Sequence, residues 1–145
     1  MVTLEAIQIK NVRKVLKLRV RPDQKSFVAS NRESLAEGAR ERLRGREVHA
    51  FAICDSGTPV GFLMVSREGS TWELWRFLIG REFQHRGYGK EALGLVLAWM
   101  KDRGGESCRL SYEPENMLAA ALYHSFGFRE TGEKDCGELV AVRPL

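Results

Sequence analysis

The stretch from residue 72 to residue 112 constrains the fold most strongly. It consists of a predicted strand at 72–79, a long helix at 87–103 and a second predicted strand at 108–112. The helix has apolar residues nearly all round, which is typical of a helix packed against a sheet, and it ends at Gly104 and Gly105. Two strands joined through such a helix pair in parallel. The sequence therefore predicts a sheet with a parallel crossover.

The remaining elements predict antiparallel pairing around this unit. We expect a strand at 2–9, a helix at 12–19 that Pro22 ends, and a second helix up to Gly45 capped by Ser30 or Asn31. A hairpin turns at 55–58, Pro114 opens a later helix, and a second hairpin closes the chain from Gly127. The predicted order is βααβββαβαββ. The fold class is α/β, an α+β arrangement with a mixed, mostly antiparallel sheet flanked by helices.

Composition limits the functional classes. The chain has 145 residues, of which 43% are hydrophobic and 29% charged, and this predicts a single domain over residues 1–145. Three widely spaced cysteines form no disulfide or zinc pattern, and we find no signal peptide or membrane span, so we expect a cytoplasmic protein. Residues 1–103 carry 19 basic and 12 acidic side chains, whereas residues 104–145 carry 4 and 7. The two parts could serve oppositely charged ligands, or the charges could simply be solvated.

The segment Gln84-His85-Arg86-Gly87-Tyr88-Gly89 lies between a predicted strand and a helix. Backbone N–H groups at such a turn, together with the positive end of the helix, can bind a pyrophosphate, and Arg86 and Lys90 add positive charge. The phosphate-loop pattern fails because Glu91 follows Lys90, and the dinucleotide pattern fails because Ala92 occupies its last glycine position. The alternative is a tight strand-to-helix turn without a ligand.

Two motifs together carry a resemblance to a known family. Gln84-x-x-Gly87-x-Gly89, followed by the later set Asn116, Ala119, Ala120, Leu122, Tyr123 and Gly127-Phe128, resembles the GNAT superfamily of N-acetyltransferases over essentially the whole chain. The resemblance implies a GNAT-like fold in which two parallel strands splay apart, and acetyl transfer from acetyl-CoA to an amine. It also implies a set of residues that bind the cofactor: Phe77, Leu78, Ile79, Gln84, His85, Arg86, Gly87, Tyr88, Gly89, Lys90, Asn116 and Tyr123.

Catalytic roles follow from the same resemblance. Asn116 and Tyr123 are seven residues apart and share one helix face, and the resemblance implies that Tyr123 protonates the departing CoA thiolate. Without the resemblance, Tyr123 would be a core tyrosine. Glu113 is our candidate base for the acceptor amine and Glu73 is the second, although both could be solvated carboxylates. We assign no base role to His85, which lies in the loop. No metal is predicted, and Cys108 and Cys136 are expected to be small buried residues.

The acceptor is predicted from a closer similarity to bacterial diamine and spermidine/spermine acetyltransferases. Residues 20–24, 27–28, 111–116 and 137–140 carry it. The expected acceptor-binding residues are Glu113, Glu138, Asp135, Glu73 and Trp75. One departure is that Trp75 and Arg76 stand where the eukaryotic enzymes have an acidic pair. A protein or aminoglycoside acetyltransferase and a non-catalytic acyl-CoA module are the alternatives. We expect a small-molecule amine as partner rather than a nucleic acid or a membrane, and we leave a homodimer open.

Overall fold

The computed structural model describes residues 1–25, 27 and 29–145. Over these residues the chain forms seven strands and four α-helices, in the order predicted from the sequence. Two 3-10 turns, Pro22–Gln24 and Arg81–Phe83, complete the regular structure of this part of the chain. The elements are β1 Val2–Ala6, α1 Ile9–Lys17, α2 Asn31–Leu43, β2 Glu47–Asp55, β3 Thr58–Glu68, β4 Thr71–Ile79, α3 Tyr88–Asp102, β5 Ser107–Tyr112, α4 Met117–Ser125, β6 Arg129–Asp135 and β7 Glu138–Pro144.

The strands form one mixed sheet in the order β1-β2-β3-β4-β5-β7-β6. Strands β4 and β5, which α3 connects, pair in parallel, and the other neighbouring strands pair antiparallel. The predicted mixed sheet with a parallel crossover is therefore confirmed.

The parallel pair separates soon after it begins. Its ladder runs from Thr71 opposite Ser107 to Glu73 opposite Arg109. Beyond this point β4 stays paired with β3 up to Ile79, while β5 stays paired with β7. The expected splay of the two parallel strands is confirmed, and it opens a gap between their carboxyl ends.

Helices cover both faces of the sheet. On one face, residues of α3 such as Leu93 and Met100 pack with Trp72 and Leu63 in a buried cluster that also contains Tyr123 of α4. On the other face, α1 and α2 cover a second cluster that includes Phe62 and Met64. The approach of α2 is close: a Cβ on Gly38 would lie 2.8 Å from the Met64 sulfur.

A β-bulge in β4 changes the face of the sheet on which the side chains beside the gap lie. Met64 pairs with Arg76 but Val65 pairs with Leu74, so Trp75 is the extra residue. Such a bulge changes the alternation of faces along the strand. Trp75 packs against the cluster under α1 and α2, and Arg76 donates to Glu37 of α2 at 2.7 Å.

Three sequence expectations need correction. Strand β1 ends at Ala6, before the predicted residue 9, because the Asn11 side chain accepts from the Gln8 N–H and donates to the Ala6 carbonyl, which starts α1. Helix α4 begins after Asn116, whose Oδ1 accepts from the Ala119 N–H at 3.3 Å, and not at Pro114. Cys136 is exposed because it occupies the tight β6–β7 turn with φ of 50°. Val28 of the acceptor motif lies outside the described residues.

Candidate active site

A mostly apolar cleft of about 250 Å³ lies where β4 and β5 separate. Its walls come from the end of β4, the turn before α3, and α4. The cleft brings together ten of the twelve residues predicted to bind the cofactor: Phe77, Leu78, Ile79, Gln84, His85, Gly87, Tyr88, Gly89, Asn116 and Tyr123. The remaining lining residues are Val20, Gln24, Phe27, Phe83, Leu118, Ala119 and Leu122.

The end of β4 presents backbone to this cleft. Because β5 has turned away, the polar backbone groups of residues 77–79 on the side away from β3 have no neighbouring strand. One of them is used internally: the Ile79 carbonyl accepts from Gln84 Nε2 at 3.0 Å. The same Nε2 donates to Gln24 Oε1 at 2.9 Å. Gln84 therefore fastens the segment around Gln24 to the end of β4.

The turn before α3 supplies N–H groups. Gly87 is the N-cap residue of α3 with φ of 84°, and α3 begins at Tyr88. The first N–H groups of a helix have no carbonyl partner within it, so those of Tyr88 to Lys90 are available to an anion. A Cβ on Gly89 would lie 3.8 Å from side-chain carbons of Ile79 and Leu122 and would occupy space at the cleft wall. Arg86 and Lys90 are exposed and lie outside the described lining of the cleft.

Tyr88 ties this turn to the β2–β3 hairpin. Its hydroxyl donates to Asp55 Oδ2 at 2.6 Å, and the Asp55 carboxylate also accepts from the N-terminal ammonium at 3.1 Å. The hydrogen bond from Tyr88 and the one from the ammonium lower the pKa of Asp55 below its usual value. The hydrogen bond to Asp55 raises the pKa of Tyr88. The turn is thereby anchored on its outer side.

Tyr123 lies at the inner end of the cleft. It is 8% exposed, and its ring packs against Tyr112 and Phe128 at centroid distances of 5.7 and 5.8 Å. Burial raises the pKa of Tyr123, with smaller contributions from Cys108, Glu138 and Tyr112. The phenol therefore keeps its proton throughout the neutral pH range.

A second, more polar cavity of about 350 Å³ adjoins the first on the α2 side of the gap. The two share five lining residues, Phe27, Phe77, Asn116, Ala119 and Tyr123. The second cavity adds Ala29, Leu74, Trp75, Arg76, Ser111, Tyr112 and Glu138. Tyr123 thus faces both spaces. We call the first space the cofactor cleft and the second the acceptor cleft.

Charges in the acceptor cleft differ in how they are paired. The Glu138 carboxylate accepts from the Ser111 hydroxyl at 2.8 Å and has no ion-pair partner among the described residues. Arg76 is held by Glu37. The Tyr112 hydroxyl donates to Glu130 at 2.6 Å, and burial, followed by this hydrogen bond, raises the pKa of Tyr112 to about 12. Glu138 is consequently the carboxylate in this cleft that can pair with a cation.

Not all predicted acceptor residues come together. Trp75 and Glu138 line the acceptor cleft, whereas Glu113 is outside the described lining of both clefts and follows β5. Glu73 pairs with Arg46 and Arg109, and Asp135 also pairs with Arg109. Both carboxylates line a separate cavity and not the acceptor cleft. Glu73 is displaced because it lies two residues before Trp75 along β4, and Asp135 because it lies on β6, opposite Glu138.

Sequence reasoning missed several lining residues. Ser111 and Tyr112 directly precede Glu113 at the end of β5, and their place in the splayed strand was the available signal. Gln24 and Val20 approach the site only through the tertiary fold. None of the helices in the described part of the chain has the length and hydropathy of a membrane span. Across those same residues, no group of three or more His, Cys, Asp or Glu is arranged to bind a metal.

The residues of the cofactor cleft fit acetyl-CoA. The apolar walls suit a pantetheine arm, and the unpaired edge of β4 at residues 77–79 offers it backbone hydrogen bonds. The helix start at Tyr88 suits a pyrophosphate. The missing Cβ of Gly89 leaves room for a ligand beside Ile79.

Comparisons with known proteins agree with this arrangement. The sequence profile of the Acetyltransferase (GNAT) family matches residues 12–128. A spermine/spermidine N(1)-acetyltransferase of Bacillus subtilis strain 168 is 30% identical over 157 aligned positions, which cover 99% of each chain. A probable spermine N(1)-acetyltransferase of Bacillus subtilis subsp. natto shows the same identity and coverage.

Solved structures share the fold at lower identity. The paia N-acetyltransferase from Thermoplasma acidophilum, crystallised with coenzyme A, superposes with a TM-score of 0.78 at 16% identity, covering 100% of this chain and 99% of its own. The spermidine N-acetyltransferase from Vibrio cholerae, in complex with CoA and spermine, gives 0.76 at 17% identity, with 99% and 95% covered. The family profile, the full-length relatives and the splayed β4–β5 cleft establish that this chain belongs to the GNAT family and is an acetyl-CoA-dependent N-acetyltransferase.

Proposed function

We propose that this enzyme acetylates a primary amine of a polyamine or diamine such as spermidine or spermine. The observation that carries the proposal is the acceptor cleft: its Glu138 carboxylate lacks an ion pair among the described residues, and the cleft meets the cofactor cleft at Tyr123. A carboxylate in a partly enclosed cleft attracts an ammonium. The names of the two Bacillus relatives support the same acceptor class.

The cofactor cleft binds and orients the donor. Acetyl-CoA supplies the acetyl thioester that an amine attacks. Residues 77–79 would hold the pantetheine arm by backbone hydrogen bonds, and the N–H groups of residues 84–90 would hold the pyrophosphate, with Arg86 and Lys90 adding positive charge nearby. Asn116 caps α4 with its side chain and so fixes the helix that carries Tyr123.

Tyr123 would act as the general acid. Its raised pKa keeps the phenol neutral and able to donate a proton to a thiolate leaving group. Packing between Tyr112 and Phe128 holds the ring, so the hydroxyl has a defined position at the junction of the two clefts. Asn116, the N-cap residue of α4, lines both clefts together with Tyr123.

The acceptor must arrive as, or become, a neutral amine. Glu138 would bind the incoming ammonium, and Trp75 and Tyr112 offer aromatic surface to the methylene chain and to the cation. Glu113 remains our predicted base, acting from the end of β5 through water, since it lies outside the described cleft lining. Arg76, neutralised by Glu37, would leave the charge of Glu138 uncancelled.

A turnover assay tests the proposal. Thiol release from acetyl-CoA is measured with spermidine, spermine, putrescine, an aminoglycoside and peptides with free N-termini, each over a range of concentrations. We expect kcat/KM to be highest for a polyamine or diamine. Thiol release with a peptide or aminoglycoside but not with any polyamine would exclude the polyamine acceptor and leave the acetyltransferase assignment intact.

A further inference from the structure

The acceptor cleft contains an arginine whose charge is balanced by a residue outside the cleft. Arg76 and Glu138 are the charged residues in the described lining, and their formal charges cancel. A cleft without net charge would attract a cationic amine only weakly. Glu37 of α2 pairs with Arg76 although it is not part of this lining. The charge of Glu37 therefore leaves the surroundings of the cleft with one negative charge in excess.

The pair between Arg76 and Glu37 has close contacts. Arg76 Nη2 donates to Glu37 Oε2 at 2.7 Å, and Arg76 Nη1 donates to the Trp75 carbonyl at 3.0 Å. The side chains of Arg76 and Glu37 are 22% and 34% exposed, so salt screens this pair less than a pair on the open surface. Among the described residues, Arg76 has no second ion-pair partner. Its charge is thus balanced by Glu37 alone.

Two features of the fold place Glu37 beside Arg76. The β-bulge at Trp75 sets the register in which Arg76 lies opposite Met64 of β3. Helix α2 passes closely over the same point, because a Cβ on Gly38 would lie 2.8 Å from the Met64 sulfur. Since Glu37 directly precedes Gly38, this close approach brings its carboxylate within reach of the guanidinium.

A second guanidinium near the cleft is balanced in the same way. The guanidiniums of Arg76 and Arg46 lie 5.1 and 5.8 Å from the centre of the Trp75 ring, which lines the acceptor cleft. Arg46 pairs with Glu73 at 3.4 Å. Each cation beside Trp75 therefore has a carboxylate of its own. An ammonium that approaches this ring meets no unbalanced positive charge while both carboxylates are present.

We propose that Glu37 is a specificity-determining residue: by neutralising Arg76 from α2, it makes the acceptor cleft select cationic amines over amines that carry a carboxylate. The inference rests on the proposed function and adds to it a residue outside the cleft that sets the sign of the charge inside it. Without the charge of Glu37, Arg76 would repel an ammonium and attract a carboxylate, whether or not its guanidinium moved.

Three four-carbon amines that differ in their distal group test this role. Putrescine ends in an ammonium, butylamine in a methyl group and 4-aminobutyrate in a carboxylate. For each amine, kcat and KM are measured by thiol release at saturating acetyl-CoA, with the wild type and with Glu37→Gln. Glutamine keeps an oxygen that can accept from Arg76 and removes only the charge.

The expected result is a change in the order of preference. Because one charge interaction in a partly exposed site changes binding by about 3- to 5-fold, the kcat/KM ratio of putrescine to butylamine should fall by about that factor in Glu37→Gln. The ratio of putrescine to 4-aminobutyrate should fall about 10-fold, since the two effects have opposite signs and multiply. The KM for acetyl-CoA should not change.

Further variants separate the charge of Glu37 from a structural role. The double variant Glu37→Gln with Arg76→Gln removes the unbalanced cation, so it should regain the wild-type ratios, whereas structural damage would not be rescued. Arg76→Gln alone leaves Glu37 unpaired and should raise the ratio of putrescine to butylamine. Glu41→Gln is the matched control, because it removes a carboxylate one turn further along α2 that pairs with Arg44 at 3.2 Å and lies outside the described lining of the cleft.

The outcomes distinguish this inference from the proposed function. Wild-type ratios in a folded Glu37→Gln enzyme, or a double variant that stays as impaired as Glu37→Gln, would overturn the role of Glu37 alone. If Glu37→Gln does not fold, an unchanged or lower ratio of putrescine to butylamine in Arg76→Gln would overturn it. Failure of the wild-type enzyme to acetylate any diamine or polyamine would overturn the inference together with the proposed function.

Discussion

Replacing Tyr123 with phenylalanine tests the proposed general acid with little disturbance of the fold. The substitution keeps the ring that packs between Tyr112 and Phe128, and the Tyr123 hydroxyl donates no hydrogen bond to the described residues. The free energy of unfolding should therefore change by less than about 0.5 kcal/mol. A positioned acid contributes about 100- to 10,000-fold, so kcat should fall by that factor, which corresponds to about 2.7–5.4 kcal/mol in the activation barrier.

The assay is thiol release at saturating acetyl-CoA from pH 6 to pH 10, with acetyl-CoA affinity measured separately by calorimetry. Because burial raises the pKa of Tyr123 above the ordinary value of about 10, ionisation of this phenol should not reduce wild-type activity within that range. Tyr112→Phe is the control: it removes a hydroxyl that donates to Glu130, which should cost about 1 kcal/mol of stability and less than 10-fold in turnover. A folded Tyr123→Phe enzyme that retains more than a tenth of wild-type kcat would refute the assignment.

Other substitutions probe the two clefts and the anchor of the turn. Gly89→Ala should raise the melting temperature, because alanine favours the helix and its Cβ would lie no closer than 3.8 Å to Leu122. The same substitution should weaken acetyl-CoA binding in calorimetry. Unchanged affinity would exclude a close approach of acetyl-CoA to the backbone of Gly89. Tyr88→Phe should raise the pKa of Asp55 in an NMR titration. The pKa of Asp55 is lowered in the folded state, so its contribution to the free energy of unfolding is present above pH 4 and is lost as pH falls through the folded-state pKa. The Tyr88→Phe variant should therefore lose less stability than the wild type over this acidic range. An Asp55 pKa equal to that of the wild type would contradict this prediction. Glu138→Gln should raise the KM for spermidine with little effect on the KM for acetyl-CoA, and added salt should reduce the difference in spermidine KM between variant and wild type. If the variant and the wild type have equal KM values for spermidine at low salt, Glu138 does not bind the acceptor.

Local signals predicted the elements that build the cofactor cleft. The apolar helix between two strands required the parallel crossover, and the glycines of residues 84–89 marked the turn before α3. The spacing of Asn116 and Tyr123 predicted one helix face; Asn116 is instead the N-cap residue of α4, and both residues line the clefts. These features depend on periodicity and turn chemistry within a short stretch of chain, which a sequence displays directly.

The acceptor residues were harder to predict because they depend on strand register. Trp75 and Glu138 reach the acceptor cleft, but Glu73 lies two residues earlier on β4, and Asp135 lies opposite Glu138 on the outer strand β6. The bulge at Trp75 is set by pairing with β3 and leaves no local signal. Charge composition alone identified acidic residues in the last third of the chain without showing which of them face the same space.

The splay of β4 and β5 links the stability of the fold to its function. Backbone groups at a strand edge need hydrogen-bond partners, and a dry, closed gap would leave those of residues 77–79 unsatisfied. Here the gap is open to a cleft, so water or a ligand can bond to them, while the ladders to β3 and β7 keep each strand in place. Helix α4 then closes one side of the gap and carries Tyr123 to the junction of the two clefts. The same separation that interrupts the sheet therefore creates both the edge that can hold an acyl donor and the opening through which an amine can reach it.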